Sequence, residues 1–257
     1  MRHLLRRLVG AIVATLCWTS SPAVAHPHVF VDAKTEVIFD ASGAITGIRN
    51  IWLFDKAFSV FATSGLDKNH NGKLDDDELK PLAKVNVESL KEYDYFTYLT
   101  VDDKRFAFGP AKDYHLEHKD QRLTLFYTLP LQAPVRPTAK TTLEVFDPEY
   151  FVAFTFAKET PVRVLGAPSG CTAKYQPPHE LDAKTMGLLA SIPAEQHDLP
   201  PALVSAAAGL AHLFRVSCAG AAAPEIDPNF DRLFGAKPDD NAPTAICRLV
   251  AGDCHAQ

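Results

Sequence analysis

Residues 28–53, HVFVDAKTEVIFDASGAITGIRNIWL, decide the fold class of this chain. Apolar residues recur at every second position at the beginning and at the end of His28–Phe39, which is the spacing of a half-buried β-strand. Asp40–Gly43 has the composition of a turn, and Ile45–Leu53 reads as a return strand. The stretch therefore predicts a β-hairpin, and hence a β-rich domain, directly after the first 25 residues.

The chain beyond this hairpin is also mainly β in pattern. β-like segments follow at Tyr95–Val101, Arg105–Phe108, Lys112–His118, Leu123–Leu129, Thr141–Phe146, Phe151–Ala157 and Val162–Leu165. Between the hairpin and these segments, helical spacing occurs at Phe54, Phe58 and Phe61 and again over Leu79–Tyr93. We therefore predict an α+β, mainly β fold: a sandwich-like antiparallel domain over 26–166, with a helix-loop-helix insertion at about 54–94.

The composition changes after residue 166, where prolines and glycines mark a boundary. In the remaining region, 167–257, Asp182–Ala190 and Pro201–Val216 are predicted to be helical, and 219–257 irregular. The apolar part of the second helix is too short to span a bilayer and contains a histidine, and an arginine follows it closely. We expect no stable membrane insertion of the processed chain.

The first 25 residues have the three parts of a secretory signal. A basic start is followed by the apolar run Leu8–Trp18 and by the small-residue cleavage site Ala23–Ala25. The mature chain is then expected to begin at His26, in the periplasm. With 26 basic and 31 acidic residues the chain has a formal charge of −5 and no Lys/Arg-rich run, which argues against nucleic acid as a partner.

Export to an oxidising compartment predicts disulfides for the four cysteines of the mature chain. Three connectivities are possible. The short separation of Cys247 and Cys254 favours pairing between them, which would leave Cys171 to pair with Cys218. A thiolate metal site is the alternative, but the chain contains no C-x-x-C motif.

The strongest motif is the twelve-residue segment Asp67–Glu78, DKNHNGKLDDDE, which fits an EF-hand calcium loop position by position. A glycine stands at the sixth position, where that loop turns sharply. The predicted calcium ligands are Asp67, Asn69, Asn71, the backbone carbonyl of Lys73, Asp75 and Glu78. Two neutral asparagine ligands predict weak binding, with a Kd of about 0.1–1 mM. The alternative is a solvated turn whose acidic residues only cap the second helix.

The expected new N-terminus, His26-Pro27-His28, is a second candidate metal site. On an extended segment residues i and i+2 face the same way, and the freed α-amine of His26 adds a third nitrogen. Nitrogen ligands suit Zn²⁺, Ni²⁺, Co²⁺ or Cu²⁺ rather than Ca²⁺.

Further nitrogen and oxygen ligands for this site would have to come from elsewhere in the chain. The candidates are His115, Glu117 and His118, which lie together near the end of a predicted strand. His115 and Glu117 would share a face of that strand, and His118 would join them only if the strand ended in a turn there. The alternative is a polar hairpin end whose histidines have no ligand role.

Three segments, residues 26–31, Asp67–Glu78 and Phe146–Val152, occur in an order that resembles the periplasmic family known as domain of unknown function 1007. The resemblance implies the periplasmic component of an ABC-type transport system associated with nickel/cobalt permeases, and thus a role in metal transport. It supplies no catalytic residues. Turn chemistry alone explains Asp147 and Glu149, so we favour that interpretation over a ligand role.

The leading hypothesis is a non-catalytic, periplasmic metal-binding accessory protein that serves an inner-membrane permease and has a structural calcium loop. A copper oxidase with an N-terminal histidine is one alternative, although the second histidine is only two residues away. A calcium-stabilised protein-interaction module is another. The chain contains no G-x-S-x-G, H-E-x-x-H or glycine-rich phosphate loop, so a hydrolase is not expected.

Overall fold

The computed structural model describes residues 26–193, 196 and 198–218. Within these residues the strands are β1 (Val29–Phe39), β2 (Ile45–Phe54), β3 (Thr97–Val101), β4 (Lys104–Phe106), β5 (Lys112–Lys119), β6 (Arg122–Val135), β7 (Thr141–Val145), β8 (Val152–Phe156), β9 (Val162–Leu165), β10 (Thr172–Gln176) and β11 (His212–Ser217). The helices are α1 (Lys56–Ala62), α2 (Asp76–Leu90), α3 (Ala183–Ala190) and α4 (Pro201–Ala208), and a 3-10 helix spans Lys91–Phe96.

The first sheet has the order β5-β6-β2-β1-β8, and β9 also pairs with β1. β1 and β2 form the predicted antiparallel hairpin, with Val31 opposite Phe54 and Val37 opposite Ile48. Alternate residues of β1 are buried along its first half, as the sequence pattern predicted. β8 and β9 run parallel to β1, one after the other along its length.

The second sheet has the order β10-β11-β7-β3-β4, and all its pairs are antiparallel. One hydrophobic cluster takes buried residues from both sheets, for example Ile48 and Leu125 from the first and Leu143 and Phe214 from the second. Two sheets that share a core in this way confirm the predicted α+β, mainly β fold.

A buried polar network also joins the two sheets. Asn50 of β2 is fully buried; its side-chain oxygen accepts from the Thr35 hydroxyl at 2.9 Å. Its amide nitrogen donates to Thr97 Oγ1 at 3.0 Å and to the Tyr127 hydroxyl at 3.1 Å. Since both the oxygen and the nitrogen of the Asn50 amide have hydrogen-bond partners, this polar side chain can be buried without unsatisfied groups.

The helix predicted over Pro201–Val216 is correct to Ala208 and wrong beyond it. His212–Ser217 forms β11, which lies between β10 and β7 in the second sheet. The helix predicted from the spacing of the three phenylalanines is present as α1, with Phe58 buried. Phe54, however, belongs to β2, and Phe61 is exposed rather than buried.

A disulfide joins Cys171 to Cys218, as predicted, with an S–S distance of 2.04 Å. It ties the start of β10 to the end of β11. Cys247 and Cys254 lie outside the described residues. Among the helices of the described part, none is both long and apolar enough to cross a membrane.

Candidate metal sites

His26 and His28 lie just before β1, next to the segment that leads into β8. The His28 backbone N–H donates to the Phe151 carbonyl at 2.9 Å, which extends the parallel pairing of β1 with β8. The two imidazole rings lie 5.3 Å apart, and the Phe151 ring lies 5.7 Å from His26 and 4.4 Å from His28. His26 is buried and His28 is exposed. The two rings are therefore neighbours, and their joint binding of one metal ion stays a prediction.

The His26 ring is oriented by a backbone carbonyl. Its Nδ1 is hydrogen-bonded to the Ile192 oxygen at 3.1 Å. Because a carbonyl oxygen only accepts, Nδ1 carries the proton and Nε2 is the lone-pair nitrogen of the neutral ring. Metal-ligating histidines characteristically donate their other ring N–H to a carbonyl or carboxylate in this way.

The separation of the two rings agrees with two ligands of one metal ion. A metal–nitrogen bond of about 2.1 Å and a ring radius of about 1.1 Å place two imidazole centroids about 5 Å apart in tetrahedral geometry. The observed ring separation is 5.3 Å.

The neighbouring turn, Asp147–Phe151, holds two carboxylates. Asp147 accepts backbone N–H groups from Glu149 at 2.9 Å and from Val152 at 2.8 Å, the role expected of an aspartate in a turn. Burial raises the pKa of Asp147 to about 6. Burial, together with the charges of Asp147 and Asp198, raises the pKa of Glu149 to about 8. Sequence reasoning missed this environment of Glu149, because the motif shows a turn but not what packs over it.

His115, Glu117 and His118 lie at a different place, on the edge strand β5. His115 Nε2 and Glu117 Oε1 are 3.7 Å apart on one exposed face, and the His115 ring stacks on Phe126 at 4.6 Å. Because β5 continues to Lys119, His118 lies on the opposite face.

The sheet order separates these side chains from the N-terminal histidines. β5 is three strands from β1, and strands are about 4.8 Å apart, which gives a lateral distance of about 14 Å. His26 precedes β1, so its distance from the residues of β5 is larger than this lateral separation. The structure therefore does not bring His115, Glu117 or His118 to His26 and His28.

The segment Asp67–Glu78 leads from α1 into the first turn of α2, and its predicted ligand side chains form hydrogen bonds with one another and with the loop backbone. Asp67 accepts backbone N–H groups from Asn71 at 3.1 Å and Gly72 at 3.0 Å. Asp75 accepts the side-chain amides of Asn69 at 2.9 Å and Asn71 at 3.1 Å. Gly72 has a φ of +78°, the left-handed turn that the motif places at its sixth position.

Glu78 closes this loop. One carboxylate oxygen accepts the Lys68 N–H at 2.8 Å, and the other accepts the Asp75 N–H at 3.1 Å. The second bond is half of a capping box with Asp75 at the beginning of α2. Hydrogen bonds therefore run across the loop as well as at the beginning of α2, so helix capping alone accounts for only part of these contacts.

Within the described ranges no group of three or more His, Cys, Asp or Glu side chains is arranged to hold a metal ion. A calcium ion in the loop would rely in addition on the amide oxygens of Asn69 and Asn71 and on the Lys73 carbonyl. A transition metal at His26 and His28 would keep open coordination positions.

The fold and these sites belong to a mainly β protein with two candidate metal-binding regions. Its sequence matches the family described as "Protein of unknown function (DUF1007)" over residues 11–218, and the chain belongs to that family. An uncharacterised protein of Haemophilus influenzae is 27% identical over 176 residues, which cover 67% of this chain and 82% of that protein. An uncharacterised 15.5 kDa protein of Spirochaeta aurantia is 37% identical over 98 residues, covering 37% and 69% respectively.

Proposed function

We propose that this protein is a periplasmic, non-catalytic accessory protein that binds a divalent transition metal for transport or homeostasis. The observation that carries the proposal is the pair of imidazole rings of His26 and His28, 5.3 Å apart at the expected start of the exported chain. The proposed partner is an inner-membrane metal permease of the nickel/cobalt-associated, ABC-type systems that the family resemblance implies.

The chemistry of the two histidines supports capture and release rather than a structural role. Structural zinc sites have four protein ligands and are closed. Two imidazoles leave positions for water or for a ligand of the partner, so the ion exchanges readily. Nitrogen ligands select Zn²⁺, Ni²⁺, Co²⁺ or Cu²⁺ over Ca²⁺.

Calcium in the Asp67–Glu78 loop has a separate, structural role in this proposal. The loop joins α1 to α2, and α2 buries Leu79, Leu82 and Val87 against the core. Calcium would hold the beginning of α2 in place through Glu78, which is both a proposed ligand and a capping residue.

The direct test is a competition titration of Zn²⁺ and Ni²⁺ against a chromogenic chelator, with the chain beginning at His26. We expect one ion per chain, lost in the His26→Ala/His28→Ala variant while the circular dichroism spectrum is unchanged. The matched control is His115→Ala/His118→Ala, which also removes two histidines and should bind normally. Unchanged affinity in the first variant would refute the proposal.

Two alternatives make different predictions. A copper oxidase of the N-terminal-histidine type chelates copper through the α-amine and Nδ1 of one residue, but Nδ1 of His26 is bonded to Ile192. Copper-dependent oxygen consumption with a reductant would favour that enzyme. An interaction module draws support from the exposed Phe30, Val60 and Phe61. Complete lack of transition-metal affinity in the titration would favour the module.

A further inference from the structure

A cleft opens beside the beginning of β3, at the edge of the second sheet. β4 pairs with β3 only as far as Phe106, which lies opposite Leu99. Beyond Phe106 the chain leaves β3 and joins the first sheet, where Phe108 pairs with Leu131 of β6. The space between the departing chain and the beginning of β3 is a cleft of about 500 Å³. This volume suits a small organic molecule.

The lining of this cleft is mainly apolar and includes four aromatic residues, Tyr95, Tyr98, Phe106 and Phe108. The two tyrosines are buried, and the two phenylalanines are half-buried against the hydrophobic core, so all four are held in place. Aromatic rings gain free energy when another ring packs against them in an offset or edge-on arrangement. The walls of the cleft therefore favour a ligand with a planar ring.

Two cationic residues also line the cleft, Lys91 and Arg105. Neither forms an ion pair with any residue that the structure describes. The guanidinium carbon of Arg105 lies 4.2 Å from the centroid of the Tyr98 ring. This stacking orients the guanidinium, and the N–H groups in its plane can still donate to a ligand, typically to both oxygens of a carboxylate. Asp94 is the one acidic residue of the lining, so cations outnumber anions there.

The backbone beside the cleft is held in an unfavourable conformation. Three successive residues, Asp94, Tyr95 and Phe96, have φ values of +51°, +56° and +49°. Left-handed backbone is uncommon for residues with a side chain, and it persists only where the surrounding structure determines it. Such residues cluster at ligand-binding and active sites. Asp94 and Tyr95 line the cleft, so the strained segment forms part of its wall.

We propose that this cleft binds a small aromatic carboxylate. The carboxylate accepts N–H bonds from the Arg105 guanidinium, and Lys91 supplies a second positive charge. The ring of the ligand packs against the aromatic lining and removes apolar surface from water. The residues of the cleft are distinct from those of both candidate metal sites, so this inference goes beyond the proposed function and does not depend on it.

The test is a ligand-observed NMR titration with indole-3-carboxylate as the probe. The chain begins at His26, calcium is present, and transition metals are removed, so failure of the metal-binding proposal would not affect the result. We expect saturable binding with a Kd below about 1 mM. Indole-3-carboxamide, which lacks the charge, and acetate, which lacks the ring, should each bind at least tenfold more weakly.

Variants of Arg105 then test whether the carboxylate is bound where the structure indicates. Arg105→Gln should weaken binding of indole-3-carboxylate at least tenfold, and Arg105→Lys, which keeps the charge but not the paired N–H donors, should have an intermediate affinity. The matched control is Arg163→Gln, which removes an exposed arginine of β9 and should bind as the wild type does. Thermal midpoints of the variants verify that they are folded.

Three results would overturn the inference. One is equal affinity of the wild type for the carboxylate and the carboxamide. Another is an unchanged affinity in Arg105→Gln. The third is a wild-type chain that shows no saturable binding of indole-3-carboxylate up to about 10 mM.

Discussion

Glu144 on β7 gives the sharpest prediction about stability, because this carboxyl group is buried without adequate compensation. The residue is 3% exposed, and its Oε1 is buried with no hydrogen-bond partner. Burial raises the pKa of Glu144 from 4.5 to about 7, and the charge of Arg105 opposes this only in part. Glu144→Gln replaces the group with a neutral one of nearly the same shape.

Proton linkage determines whether the contribution of Glu144 to the free energy of unfolding rises or falls with pH. Between pH 4.5 and about 7 the folded chain holds a proton on Glu144 that the unfolded chain has released. The folded state is therefore most favoured below pH 4.5 and loses stability as the pH rises to about 7. At about 1.4 kcal/mol per pH unit, the cost above the folded pKa approaches about 3 kcal/mol. Glutamine does not titrate, so the variant does not lose this stability as the pH rises.

The assay is urea unfolding of the wild type and Glu144→Gln at pH 5 and at pH 8. The free energy of unfolding of the variant, relative to that of the wild type, should be higher at pH 8 than at pH 5 by about 2.5 kcal/mol. Asp147 and Glu149 also titrate, but they contribute equally to both chains and cancel in the difference. Glu117→Gln, on an exposed face, should follow the wild type at both pH values. A difference between wild type and Glu144→Gln that does not change with pH would refute the reasoning.

Three further changes test other parts of the fold. Replacing both Cys171 and Cys218 by serine should cost about 4 kcal/mol in urea unfolding, since the bridge closes a separation of 47 residues; an unchanged midpoint would contradict this. Asn50→Ala should cost about 3 kcal/mol by the same assay, because it removes three buried side-chain hydrogen bonds. Calcium at about 10 mM should stabilise the chain by about 1–3 kcal/mol, measured as a rise in the thermal midpoint. Glu78→Gln, which retains a capping side chain, should abolish this rise and Asp77→Asn should not.

Local patterns predicted much of the fold. The alternation in His28–Phe39 identified β1, and the turn composition after it predicted the hairpin with β2. The loop between two helices at Asp67–Glu78 was also predictable, since its turn is determined within twelve residues and Gly72 has the expected left-handed φ; its binding of calcium stays a prediction.

Other features depend on contacts between distant parts of the chain. Residues 212–217 are buried at four of six positions, so periodicity could not distinguish a strand from a buried helix. Ile192 is 166 residues from His26 in the sequence, and nothing local indicates that its carbonyl orients the imidazole ring. The separation of His115 from His26 follows from the strand order, which residue patterns do not specify.

Native mass spectrometry of the protein, purified from periplasm without an N-terminal tag and then exposed to Zn²⁺, Ni²⁺ or Co²⁺, tests whether His26 and His28 bind a transition metal. We expect a chain that begins at His26 and carries calcium and one transition-metal ion. In the His26→Ala/His28→Ala variant the transition metal should be absent and calcium retained. A wild-type chain that takes up calcium alone, or a variant that still carries the transition metal, would show that these two histidines are not the metal site.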